Sequence, residues 1–225
     1  MGGGTFPRPG EITLAHRGVL FMDEFPEFDK RVLEALRQPL EDRVISISRA
    51  KGSITYPANI LLVGAMNPCP CGNLGNPKKE CVCAPQHVER YARKISGPIT
   101  DRVDLWVDVD AVEHEKLAAN APAGESSRVI QQRVAKARTR QAERFKKTRI
   151  STNSEMSARD IETFCKLTPP VNAILMQAAK QFNLSARAYH RVIKIARTIA
   201  DLEGTEQIGE NHILEAVQYR PKVRN

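Results

Sequence analysis

The chain has 225 residues, 41% of them hydrophobic and 27% charged, the balance of an ordinary globular protein with room for one large domain or one and a half smaller ones. No window approaches the roughly 18 apolar residues of a membrane span, and Met1-Gly2-Gly3-Gly4-Thr5 lacks the charged and apolar regions of a secretory signal, so a cytoplasmic protein is expected. Thirty-four basic residues against 26 acidic ones leave a net charge of +8, which suits a polyanionic partner without specifying one.

In chain order, residues 2–17 open with three glycines, Pro7 and Pro9 and read as loop, with a short helix between Glu11 and Arg17. Val19-Leu20-Phe21-Met22 is an apolar run of the kind buried on both faces of a parallel sheet. It ends in two adjacent carboxylates, Asp23 and Glu24, before Phe25-Pro26 stops the strand. Phe28, Val32, Leu36 and Leu40 recur at helical spacing, with Asp29 as the cap. Two alternating β-branched runs, Val44–Arg49 and Ser53–Tyr56, flank the turn Lys51-Gly52 and predict a hairpin. Asn59–Ala65 is a second apolar strand, followed by Met66-Asn67-Pro68; residues 87–97 read as a helix with a basic stripe; Val103–Val109 alternates as a third strand. Strands and helices in alternation predict an α/β sheet.

Past Val112 the composition changes: residues 113–122 read as short-range helix or loop, Pro122-Ala123-Gly124 is a break, and from 155 on the pattern is all-helical. Glu125–Lys147 holds no Gly or Pro and predicts one long helix with Ile130, Val134, Ala137 and Phe145 on its inner face. Four more helices are expected at 157–166, 170–182, 185–203 and 209–219; Tyr189, Val192, Ala196 and Ile199 form the core stripe of the third, and Gly204 ends it.

Three groups of residues carry chemistry. In open α/β sheets ligands bind at the carboxyl ends of the strands, where Asp23 and Glu24 stand. One acid there can hold a divalent cation and the other can orient an attacking water, the Walker B arrangement of P-loop NTPases. A strand meeting a solvated loop gives the same letters. Asn67 holds the matching position after the next strand, where a turn-forming Asn before Pro is the plain alternative. Second, Cys69-x-Cys71 and Cys81-x-Cys83 are two pairs joined by nine residues. Four thiolates suit tetrahedral Zn²⁺, with pair spacing tighter than the usual two to about four residues; unliganded thiols and a redox or disulfide pair are the other readings. His87 is a substitute ligand or a surface residue, and Cys165 reads as core. Third, Arg133, Lys136, Arg138, Arg140, Arg144, Lys146, Lys147 and Arg149 stand against one acid, Glu143. They suit phosphate backbones, a solvated face, or an acidic neighbour.

Gly10-Glu11-Ile12 with Leu14-Ala15-His16, Gly18-Val19-Leu20-Phe21-Met22-Asp23-Glu24 and Ala65-Met66-Asn67-Pro68-Cys69-Pro70-Cys71-Gly72 resemble magnesium-chelatase-like AAA+ ATPases of the bacterial ComM/YifB group. Ser96-Gly97-Pro98-Ile99-Thr100-Asp101-Arg102-Val103-Asp104, Leu184-Ser185-Ala186-Arg187-Ala188-Tyr189 and Gln218-Tyr219-Arg220-Pro221 extend the resemblance, in order, over nearly the whole chain. It implies the C-terminal half of an AAA+ P-loop ATPase core, a parallel sheet with helices, followed by a helical lid domain. It implies ATP and Mg²⁺ as cofactors. By the same resemblance Asp23 serves the Mg²⁺ shell, Glu24 polarises the hydrolytic water, and Asn67 is sensor 1. Arg102 is then the arginine finger that reaches a neighbouring subunit's ATP, and Arg187 is sensor 2. Carboxylate-bound metal and guanidinium forks are what phosphoryl transfer requires. A local ion pair of Arg102 with Asp101 or Asp104, and a solvated Arg187, are the bland alternatives.

The resemblance also implies a structural Zn²⁺ at the four cysteines and a ring, a hexamer in related proteins, that passes DNA through its pore. The hairpin Val44–Tyr56 would line that pore, with Arg49 and Lys51 near its tip. The implied activity is ATP-driven DNA remodelling of helicase or branch-migration type, in natural transformation or recombination. A chelatase-type ATPase remodelling a protein partner, and a non-enzymatic interaction module, are the competing classes. One departure stands out: no Gly-x-x-x-x-Gly-Lys-[Ser/Thr] exists, and Gly-Lys occurs nowhere in the chain. That loop supplies the amides and Lys that hold phosphates. The chain is therefore expected to be the C-terminal portion of a longer ATPase and inactive alone. Its expected parts are a partial core at 1–112, a linker with the basic helix at 113–153, and the lid at 154–225.

Overall fold

α1 (Glu11–Leu14) leads through a tight turn into β1 (Val19–Met22). His16 closes that turn: its Nδ1 accepts the Asn59 amide at 3.1 Å, while the Arg17 N–H donates to the Asn59 carbonyl at 2.7 Å. β1 pairs in parallel with the later β4 (Leu61–Gly64), with Val19 opposite Leu61 and Met22 opposite Gly64. The computed structural model describes residues 8–49, 52–109 and 124–221, and the chain divides into two compact units, Met1–Val103 and Asp104–Asn225. Lys51, the triple glycine and residues 113–122 lie outside the described residues, as does the side chain of Arg49.

The helix expected after Asp29 forms as two pieces, α2 (Lys30–Ala35) and α3 (Arg37–Asp42). Asp29 caps the first, its Oδ1 accepting the Arg31 amide at 2.8 Å. Pro39 falls in the first turn of the second, where no amide donor is needed. The break shifts the inner face: Leu33 and Leu36 are buried, whereas Phe28 and Val32 stay exposed. β2 (Val44–Arg49) and β3 (Gly52–Pro57) make the predicted antiparallel hairpin, with Ile47 opposite Ile54. α4 (Pro85–Ala92) and the short α5 (Gly97–Thr100) complete the unit.

Among the described residues β1 and β4 each have one neighbour, so their sheet has two open edges. Val19, Phe21, Leu61 and Val63 share one exposed face of it. The third strand expected at Val103–Val109 is absent. Those residues join no ladder, and Leu105, Val107 and Val109 are exposed. A strand exists by pairing, and the Trp106 amide instead donates to the Tyr219 carbonyl at 2.9 Å.

The second unit is a helical bundle of α6 (Ser127–Arg144), α7 (Ala158–Phe164), α8 (Pro169–Gln181), α9 (Ala186–Glu203) and α10 (Glu210–Gln218). Ser157 and Asp160 form a reciprocal capping box on α7, Pro169 opens α8, and Gly204 ends α9 in the left-handed conformation, φ +94°. Leu175, Val192, Ala196, Ile213 and Ala216 are fully buried, and Tyr189 and Ile199 pack against them. Phe145 meets Phe164 edge to face, with 5.2 Å between centroids.

On α6 the inner face is Ala137, Gln141 and Phe145; Ile130 and Val134, expected inside, are exposed. A buried polar knot rivets the second half of the helix. Asp201 is fully buried and takes both Arg144 terminal nitrogens, the Asn153 side-chain Nδ2 at 2.8 Å and Arg197 at 3.1 Å. Arg140 donates to the Asp201 carbonyl at 2.9 Å. Two of the eight basic residues therefore point inward.

Candidate hydrolytic edge and cysteine cluster

The ladder between β1 and β4 continues past the strand ends. The Ala65 amide donates to the Met22 carbonyl, and the Phe25 amide to the Ala65 carbonyl, each at 2.9 Å. Phe25 is buried directly over Gly64, where a Cβ would crowd its ring at 3.3 Å, so glycine lets the chains run this close without displacing the ring. The parallel register consequently sends Asp23, Glu24 and Asn67 off the same edge of the sheet, all three exposed. Glu24 sits in the left-handed region, φ 48° and ψ 43°, a strained setting for a residue with a Cβ. Its amide donates to Asp23 Oδ1 at 2.9 Å. Two carboxylates and a carboxamide at one edge form a donor set that fits a hydrated divalent cation and a polarised water. They do not form a phosphate cradle.

Tyr91, on α4, joins this edge and was not singled out by sequence reasoning. Its ring is buried, and the Asn67 backbone N–H lies near enough to its hydroxyl to favour the ionised form. Burial first, then the charge of Glu27, with contributions from Cys69 and Glu24, push its pKa up. Lys94 lies 5.5 Å from its ring centroid and pairs with Glu27 at 2.6 Å. The available signal was small: Tyr91 is the one aromatic of a helix that is otherwise mostly polar.

The four cysteines converge. Sγ of Cys69 lies 3.5 Å from that of Cys71 and 3.7 Å from that of Cys81; Cys71 and Cys81 are 3.6 Å apart; and all four Sγ atoms lie within 4.8 Å of one another. A disulfide would need about 2 Å. Four sulfurs about 2.3 Å from a zinc define a tetrahedron with edges of about 3.8 Å, close to the spacings here. Amides of Asn73 and then Val82 pull the Cys71 thiol down to about 6. The Cys83 amide also pulls on Cys81, but burial and the Cys71 and Cys69 thiols outweigh it and push Cys81 up to about 12. The Cys71 thiol, then burial, raises Cys83. One thiolate sharing its neighbours' protons is a cluster that a cation can deprotonate further. Cys69 is fully buried, while His87 is exposed. Cys165 is core, as expected.

Arg102 follows α5 and is tied within its own unit. Its Nε lies 2.9 Å from Glu41 Oε2, an ion pair by distance without hydrogen-bond alignment, and its Nη1 donates to the Pro98 carbonyl at 2.8 Å. Arg187 is exposed in the first turn of α9, which Ser185 caps through the Ala188 amide at 3.2 Å. That is the positive end of an 18-residue helix. On the basic stretch, Arg133 pairs with Glu125, and Lys136, Arg138, Lys146, Lys147 and Arg149 are exposed. No described helix is long and apolar enough to cross a membrane.

Sequence comparison places these features among known proteins. The profile of magnesium chelatase subunit ChlI matches residues 1–117, and that of the ChlI C-terminal region matches residues 124–220. The chain is 45% identical over 224 residues to competence protein ComM of Haemophilus influenzae, covering all of this chain and 43% of that protein. It is 43% identical over 221 residues to YifB of Salmonella typhimurium, covering 98% of this chain and 42% of YifB. The magnesium-chelatase 38 kDa subunit of Acidiphilium rubrum is 24% identical over 216 residues, covering 91% and 52%. The chain thus spans less than half the length of its ComM and YifB relatives.

Proposed function

We infer, from a chain that belongs to the magnesium chelatase ChlI family of AAA+ ATPases, that it supplies the water-activating part of an ATP-hydrolysing site in a ring-forming motor that acts on DNA. The observation that carries this reading is the common edge of Asp23, Glu24 and Asn67 beyond one parallel strand pair. Asp23 holds the water shell of Mg²⁺, which when bound neutralises charge on the ATP phosphates. Glu24 orients and polarises the attacking water. Asn67 hydrogen-bonds that water or the γ-phosphate. Arg102, exchanging Glu41 for a phosphate, reaches the ATP of a neighbouring subunit, and Arg187 contacts the γ-phosphate from the lid. Cys69, Cys71, Cys81 and Cys83 would hold a structural Zn²⁺.

In this reading residues 1–112 are a partial ATPase core, 113–153 a linker with the basic helix, and 154–225 the lid. The missing phosphate cradle and the two open sheet edges agree with a site completed by further protein, and alone the chain turns over almost no ATP. DNA as the substrate is supported by the exposed Lys136, Arg138, Lys146, Lys147 and Arg149, and by a relative named a competence protein. A ring that remodels a protein partner is the second reading, favoured by the magnesium-chelatase relative; a non-enzymatic interaction module is the third. The test joins the chain to an upstream half bearing a Walker A loop and measures ATP turnover with and without branched and single-stranded DNA. DNA stimulation that disappears in Arg102→Ala is the expected result. DNA-independent turnover supports the protein-remodelling reading, and no turnover leaves the interaction module.

A further inference from the structure

We propose that the cysteine quartet is a closed zinc site whose work is to position Asn67, with Tyr91 as the link between metal and hydrolytic edge. The positioning role rests on the ATPase reading; the metal site does not. Residues 69–84 carry no described helix or strand, and Val82 is 84% exposed, so no ladder and little packing beyond the buried Cys69 hold this loop in shape. What converges in it is sulfur. Four cysteines with no oxygen or nitrogen donor select a soft, tetrahedral divalent ion. Binding Zn²⁺ releases the thiol protons to solvent and leaves four Zn–S bonds and no open position, so the site is structural rather than catalytic.

The chain ties Asn67 to this site from three sides. Only Pro68 separates Asn67 from the ligand Cys69, and proline fixes one of the intervening dihedrals. Past the second ligand, Gly72 turns in the left-handed region, φ +77°, and brings its backbone beside the Asn67 carboxamide: a Cβ there would lie 3.8 Å from Asn67 Oδ1. The Gly72 amide closes that turn on the Cys69 carbonyl at 3.0 Å. Past the fourth ligand, Ala84 caps α4, and α4 carries the buried Tyr91 back to the neighbourhood of the Asn67 amide. Cys69, the ligand nearest Asn67, is fully buried. A metal that clamps Cys69 and Cys71 to Cys81 and Cys83 therefore closes a circuit from Asn67 through the loop and α4 back to Asn67. Tyr91 is a positioning residue in this circuit.

The chain itself is tested first, purified without chelator. One zinc per chain by native mass spectrometry is expected, together with the visible bands of tetrahedral thiolate Co²⁺ after cobalt exchange. Both are expected to be lost in the double variant Cys71→Ser, Cys81→Ser. Absence of bound zinc and of the cobalt bands overturns the site. Amide NMR then reads the coupling: chelation should move the Asn67 and Tyr91 signals and leave those of Leu175 and Ile213 in the helical unit in place. An unmoved Asn67 signal overturns the positioning role while leaving the metal. Tyr91→Phe keeps every ligand. In the chain joined to a Walker A half it should lower kcat by about 10- to 100-fold at unchanged KM, with zinc retained. A wild-type kcat, or a change in KM alone, overturns the link. Failure of the ATPase reading removes turnover in the unsubstituted protein and leaves the metal and NMR results standing.

Discussion

Asp201→Asn should weaken the helical unit far more than a near-isosteric change normally does. The carboxylate is fully buried, Arg197 is 3% exposed, and Arg144 is 17% exposed. The substitution leaves two guanidinium groups facing a neutral amide. Removing one partner of a buried ion pair costs about 3–5 kcal/mol, because the remaining charge is left uncompensated. For a unit of about 120 residues, each kcal/mol moves Tm by roughly 3–6 °C, which sets the expected loss at about 10–30 °C. The assay is a thermal melt of the helical circular dichroism signal at pH 7. The pH dependence has a definite sign. Burial alone would raise the Asp201 carboxyl, but hydrogen bonds from Arg144 and Asn153 and the charges of Arg144 and Arg197 hold it below its ordinary value. Its stabilisation is complete above the unfolded-state pKa, about 3.9, and is lost as pH falls through the lower folded-state pKa. The gap between wild type and variant should stay constant from about pH 7 to about pH 5 and close in stronger acid. A shift below about 3 °C at pH 7 would refute the reasoning.

Gly204→Ala should cost the helical unit about 1–2 kcal/mol in urea unfolding, since φ is +94° and the new Cβ would meet an Arg140 nitrogen at 2.8 Å, loosening its bond to the Asp201 carbonyl. An unchanged midpoint would contradict that cap. Burial pushes the Cys165 thiol up to about 11, so peptide mapping should find it resistant to iodoacetamide at pH 8 in the folded chain and labelled in urea. Rapid native labelling would place it outside the core. Lys146→Glu with Lys147→Glu should weaken retention on single-stranded DNA and flatten its salt dependence by about one unit per lost phosphate contact. Retention equal to that of the parent chain would remove this surface from the DNA path. Arg144→Met should instead lower Tm.

Local signals carried most of the fold. The C-terminal helices were legible because period and caps agree: Ser157, Pro169, Ser185 and Gly204 stand at the ends of strongly periodic segments. The hairpin was legible from its alternation, and the carboxylates from the apolar run before them. What failed depended on distant partners. Val103–Val109 has a strand's pattern but no strand beside it among the described residues. Ile130 and Val134 continue the stripe of α6, yet they stand exposed while Ala137 and Phe145 are buried. Arg140 and Arg144 look like surface cations until Asp201, far along the chain, is seen to bind them. Arg102 pairs with Glu41 on α3, about sixty residues back along the chain, a partner that its own neighbourhood does not announce. Tyr91 gave almost no signal, because its burial near Asn67 is set by the fold and not by its neighbours in sequence.

The most direct measurement is steady-state ATP turnover in three preparations: the chain alone, the chain joined to an upstream half with a Walker A loop, and the joined protein carrying Glu24→Gln. Almost no turnover in the first, clear turnover in the second and its loss in the third are predicted, since the proposed roles assign water polarisation to Glu24 and phosphate binding to a Walker A loop. Steady turnover by the chain alone, or turnover that survives Glu24→Gln, would contradict the assignment of the hydrolytic edge.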